Sequence, residues 1–118
     1  MKKIATLLLI SILALGTNKA TAQKTKKHDT IVIKTTAQCE MCKARIEKAM
    51  AYEKGVASAN LDVESANITV KYKLAKTTPE KIRKAISAIG YDADDIKADK
   101  KAYDKLPNCC QKGGMEKH

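Results

Sequence analysis

Apolar residues recur along residues 30–97 at strand and helix spacing in the order strand, helix, strand, strand, helix, strand. This predicts an α+β chain of ferredoxin-like type, a βαββαβ sandwich with a four-stranded antiparallel sheet and two helices on one face. Two further observations support it. Each element has one apolar side, which suits a two-layer structure that buries each element once. The central strands are joined by so short a turn that they must pair as a hairpin.

The elements follow in order. "TIVIKTT" (30–36) is rich in β-branched residues and alternates weakly, which suits a strand. From Cys42 the apolar positions Cys42, Ile46, Ala49 and Met50 recur at helical spacing, and Gly55 ends that helix. "VASANLDVES" then alternates, with Ala57, Ala59, Leu61 and Val63 expected inward. A Ser-Ala-Asn turn leads to "NITVKYK", where Ile68, Val70 and Tyr72 share a face. Thr78 is a capping residue before Pro79, the first helical position, with Glu80 in the first turn. Ile82, Ala85, Ile86 and Ile89 form the stripe of this second helix, and Gly90 closes it. "YDADDI" (91–96) is the short final strand, weakened by three aspartates.

The first residues set the expected compartment. "MKK", the apolar run "IATLLLISILALG" and the small residues Ala20 and Ala22 form a signal peptide over residues 1–22, cut before Gln23. The run of about a dozen apolar residues falls short of the roughly 20 that span a bilayer. Cleavage removes Lys2, Lys3 and Lys19, so the 118-residue chain becomes 96 residues and its formal charge falls from +10 to +7. A chain this size buries only roughly 60–65% of its unfolded surface, so its core is modest. Without Phe or Trp, that core is built from Ile, Val, Leu, Ala and Met. Export and only four Tyr argue against nucleic acid as the partner of the basic surface. An acidic docking partner is the sharper reading of the charge, and a solvated face the plainer one. Residues 23–29 form a basic lead-in in which His28 is expected to be solvated.

Chemistry concentrates in "QCEMCK", where Cys39 and Cys42 lie three positions apart at a strand-to-helix loop. Unpaired N–H groups and the positive end of the helix dipole favour thiolate there. Lys43 and Arg45 are expected to add to that effect, and Glu40 to oppose it. Two thiolates on an exposed loop suit copper(I), mercury(II), zinc or cadmium and reject hard ions. The rival is a redox-active disulfide, for which the oxidising compartment speaks. A thioredoxin-type pair, however, has aromatic and proline neighbours, and this chain has none at the loop. No paired acid and base or other catalytic constellation is visible, so no enzyme activity is expected.

Cys39 and Cys42 on the first loop, Gly55-Val56, the alternating hairpin and "IGYDA" (89–93) together resemble the heavy-metal-associated domain family over residues 30–97. The family includes copper chaperones, metal-transporting ATPase tails and periplasmic mercury-binding proteins. The resemblance implies that Cys39 and Cys42 are the metal ligands and that Tyr91 packs near the site. It also implies a carrier that hands copper or mercury to a membrane transporter or another carrier by thiolate exchange. Such a protein is expected to be a monomer, with an ion-bridged pair as the alternative. Thr36 and Ala37 stand where the family usually has Gly-Met. The shorter side chain leaves the loop less anchored, and Met41 is expected to turn inward to compensate rather than to ligate.

Beyond the domain, residues 98–118 form a charged tail containing Cys109, Cys110, Met115 and His118. "DKKAYDKL" suits a helical turn or two, ended by Pro107. Three readings stand for Cys109 and Cys110: an unstructured end with incidental ligands, auxiliary thiolates folded back to the loop, or a relay that receives the metal first and passes it on. Adjacent cysteines cannot both reach one ion without strain, so three shared sulfurs are favoured over four.

Overall fold

The structure, a computed structural model, describes residues 26–111. The leader expected at 1–22 lies outside them, as do Met115 and His118. Strands β1 (His28–Lys34), β2 (Val56–Asp62) and β3 (Asn67–Lys73) form one antiparallel sheet in the order β1-β3-β2. Helix α1 (Glu40–Tyr52) follows β1, and α2 (Pro79–Ala88) follows β3. A short helix α3 (Lys100–Asp104) and a 3₁₀ turn at Asn108–Cys110 complete the described chain. Among the described residues no helix is long and apolar enough to cross a membrane.

Alternation in the sequence becomes burial here. Ile33, Leu61, Ile68, Val70 and Tyr72 from the sheet meet Ile46, Met50, Ile82 and Ile86 from the helices in one buried cluster. In α2 the Thr78 hydroxyl accepts the Lys81 N–H at 3.2 Å, capping the helix as its residue type suggests. Lys43 and Glu47 tie α1 to β2. Their ion pair is 2.7 Å long, Glu47 accepts the Leu61 N–H at 2.8 Å, and Lys43 donates to the Leu61 carbonyl at 2.7 Å.

Several expectations change. The described sheet has three strands rather than four, because residues 91–96 contribute only isolated bridges, Thr35 to Ala93 and Ala93 to Ile96. The cause is Asp94, which adopts φ 54 and breaks the extended run. Its backbone N–H donates to the Lys34 carbonyl at 2.8 Å, while its carboxylate accepts the Lys34 N–H at 2.9 Å. A side chain thus takes a position that a strand carbonyl would fill. In β2 a bulge between Val56 and Ser58 leaves Ala57 exposed and gives its inward place to Val56. His28 is half-buried in β1, paired opposite Lys73, rather than solvated.

The tail packs on the domain. Gly90 has φ 105, and a Cβ there would meet the α3 backbone at 3.0 Å, at Ala102 C and Tyr103 N. Only glycine combines that conformation with so close an approach. Asp99 caps α3 by accepting the Ala102 N–H, and its own N–H reaches the Ser87 carbonyl at 2.9 Å. Leu106 and Cys110 then enter the main buried cluster.

Candidate metal centre

The loop between β1 and α1 is held from below by Thr35. Its hydroxyl donates to the Ala66 carbonyl at 2.7 Å and accepts the Ala37 N–H at 3.1 Å. Ala37 is buried in the same cluster as Leu106 and Cys110, so the tail helps fill the space beneath the loop. Met41 does not turn inward. It is 49% exposed, because the third position of the loop motif falls on the outer side of the first helical turn.

Cys39 occupies the N-cap of α1 in extended conformation, and no side chain caps that end. Cys42 lies in the first turn and is fully buried. Their sulfurs are 3.5 Å apart, and both cysteines are free thiols. Burial raises the Cys39 pKa, but the Cys42 N–H, the thiols of Cys42 and Cys109 and the Met41 N–H outweigh it. The result lies below the ordinary thiol value. Lys43 is not in contact with the thiols; its ammonium is held by Glu47, Asn60 and the Leu61 carbonyl.

The adjacent tail cysteines both come near the loop thiols, but only one of them joins the tight group. Cys110 is 2% exposed, and its sulfur lies with those of Cys39 and Cys42 in a group whose atoms are all within 4.8 Å of one another. Cys109 lies at the outer edge of this group, beside Cys39: its sulfur faces the Met41 sulfur at 3.7 Å, and its carbonyl accepts from the Cys39 thiol, also at 3.7 Å. Burial, then the neighbouring Cys42 thiol, push the Cys110 pKa up to about 12 against a smaller lowering by Tyr91. Cys109 is raised too, by desolvation and then by Cys39.

Tyr91 completes the inner wall. It is fully buried against the sulfurs of Cys110 and Cys42, and its hydroxyl is a buried polar atom without a hydrogen-bond partner. Burial and those thiols push its pKa far above the ordinary phenol value, so it keeps its proton. A neutral O–H beside sulfurs is a ready donor to a thiolate. Gln38 and Gln111 seal the outside. The Gln38 amide donates to the Gln111 carbonyl, and the Gln111 amide donates to the carbonyls of Tyr103, Asp104 and Leu106.

Comparison with known proteins places this geometry. The profile of the heavy-metal-associated domain matches residues 31–92. The copper chaperone CopZ of Staphylococcus epidermidis is 37% identical over 54 residues, covering 46% of this chain and 79% of its own. A probable copper-importing P-type ATPase A of Enterococcus hirae is 40% identical over 67 residues. That match covers 57% of this chain but only 9% of the ATPase. Among solved structures, a CopZ metallochaperone superposes with TM-score 0.53 at 27% identity, covering 55% of this chain and 98% of that one. Oxidized MerP from Ralstonia metallidurans CH34 superposes with TM-score 0.55 at 25% identity, covering 57% and 94%.

Proposed function

The chain belongs to the heavy-metal-associated domain family, and from that premise we propose that it carries copper(I) as cargo on Cys39 and Cys42. The observation that supports this most directly is the sulfur pair 3.5 Å apart at the uncapped start of a 13-residue helix. The N–H groups of the first turn and the helix dipole favour thiolate at Cys39, and a pair of sulfur donors selects soft ions. Mercury(II) fits the same donors, and zinc and cadmium fit them less closely, since both favour four ligands. The copper chaperones among the relatives favour copper.

Delivery runs by ligand exchange. A partner thiolate bonds the ion as Cys39, the more accessible sulfur, leaves it, and Cys42 follows. The receiver in this reading is a membrane metal transporter or a second carrier, and the protein works as a monomer outside the cytoplasm after losing residues 1–22. N-terminal sequencing of protein recovered from cells checks that last point and should begin at Gln23.

Anaerobic titration of copper(I) into the reduced full chain tests the cargo assignment. One ion should bind tightly, and a Cys39→Ser/Cys42→Ser variant should lose it. A variant that retains the ion, or a parent chain that takes up none, would remove the basis for the carrier.

A further inference from the structure

We propose that Cys110 is a third ligand, so that the tail closes a three-thiolate site over the ion. The inference rests on the carrier reading and adds to it a donor that lies outside the domain matched at residues 31–92.

Geometry is the first support. At the metal–sulfur distance of about 2.3 Å typical of thiolates, three ligands around a central ion form a triangle with sides of about 4.0 Å. The Cys39 and Cys42 sulfurs are 3.5 Å apart and those of Cys39, Cys42 and Cys110 all lie within 4.8 Å of one another, so the loop pair need open only slightly and any wider separation close slightly. The second support is Tyr91. Its fully buried hydroxyl lies against Cys42 and Cys110 without a hydrogen-bond partner. Leaving a buried hydroxyl without a partner forfeits its hydration with nothing in return. A metal-bound thiolate at either cysteine is an acceptor that this hydroxyl otherwise lacks. The third support is that the tail is seated by contacts independent of any ion: α3 against Gly90, buried Leu106, and the Gln38–Gln111 clasp.

Cys110 enters by giving its thiol proton to solvent as its sulfur bonds the ion. It leaves when an incoming partner thiolate forms its own bond to the metal. The tail therefore acts as a retaining strap: it slows loss to small chelators and must lift for transfer. Cys109 lies beside Cys39 but outside the group of three, with its sulfur turned to Met41, and takes no part in the triangle.

X-ray absorption on the reduced full chain carrying one copper(I) counts the sulfurs directly. The parent should show three, Cys110→Ser two and Cys109→Ser three. Affinity should fall by about 10-fold or more in Cys110→Ser, since loss even of a group that only supports a ligand costs that much. Tight binding with two sulfurs in the parent, or three sulfurs persisting in Cys110→Ser, would overturn the third ligand and leave the carrier standing. A parent that binds no copper would overturn both. The count on the parent stands even if a variant folds poorly.

Discussion

The loop and the tail each bring two cysteines to one place, and in each pair one is buried and the other is half-exposed. Their chemistry is nonetheless unlike. Cys39 caps a 13-residue helix and lies below the ordinary thiol pKa, whereas Cys110 ends a three-residue 3₁₀ turn and is pushed up to about 12. The tail turn presents no long run of aligned N–H groups, so burial dominates there. In the loop, donors from Cys42 and Met41 outweigh burial. Identical side chains thus become a ready thiolate in one region and a held-back thiol in the other. That suits a loop that captures the ion first and a tail that closes afterwards.

The difference should show most strongly in alkylation by iodoacetamide, followed residue by residue by mass spectrometry on the metal-free protein. Thiolate is the nucleophile, so a lowered pKa moves the pH profile down and a raised one moves it up. Cys39 should react fastest and stay reactive below the usual thiol range. Cys110 should be the slowest, with its inflection towards pH 12. The sign for stability follows the same shifts. Cys39, depressed in the fold, stabilises above its unfolded pKa, and that contribution is lost as pH falls through its folded value. Cys110, raised in the fold, stabilises below its unfolded pKa, and that contribution is lost as pH rises through its folded value. Equal profiles for the two cysteines would erase the contrast.

Gly90→Ala separates the regions mechanically. A Cβ there meets the α3 backbone at φ 105, so global stability should fall by about 1–3 kcal/mol in chemical denaturation. Hydrogen exchange should quicken in residues 100–111 more than in α1. Uniform quickening would mean that the tail is no separate unit. Thr35→Val removes the hydroxyl that accepts the buried Ala37 N–H, and it should cost about 1–3 kcal/mol, felt first at the loop. Thr78→Ala removes a cap remote from both regions. It should cost about 1 kcal/mol and leave the reactivity order of the cysteines unchanged.

Sequence and structure agree where the signal is local. Periodicity identifies β1, α1, the hairpin and α2, and Thr78-Pro79 marks the start of α2 as a capped helix. The loop motif brings Cys39 and Cys42 together because three residues of helical turn leave their sulfurs adjacent. Long-range packing has no periodicity to read. The seat of α3 on Gly90 depends on a close backbone approach, for which the Gly-Tyr pair is at best a hint. Asp94 ends the final strand through a φ 54 turn and a carboxylate bonded to Lys34, and no alternation pattern encodes either. Met41 points outward because its place is set by the helix phase rather than by the space beside Ala37. The split between Cys109 and Cys110 was legible as a steric argument, but which of them turns inward follows from the burial of Leu106 and the turn after Pro107.

The most direct test of the account is competitive copper(I) titration of the four single variants Cys39→Ser, Cys42→Ser, Cys109→Ser and Cys110→Ser against one chelator. The predicted order of affinity loss is greatest for Cys39 and Cys42, smaller for Cys110 and absent for Cys109. Unchanged affinity in Cys39→Ser and Cys42→Ser, or a loss in Cys109→Ser as large as theirs, would contradict it.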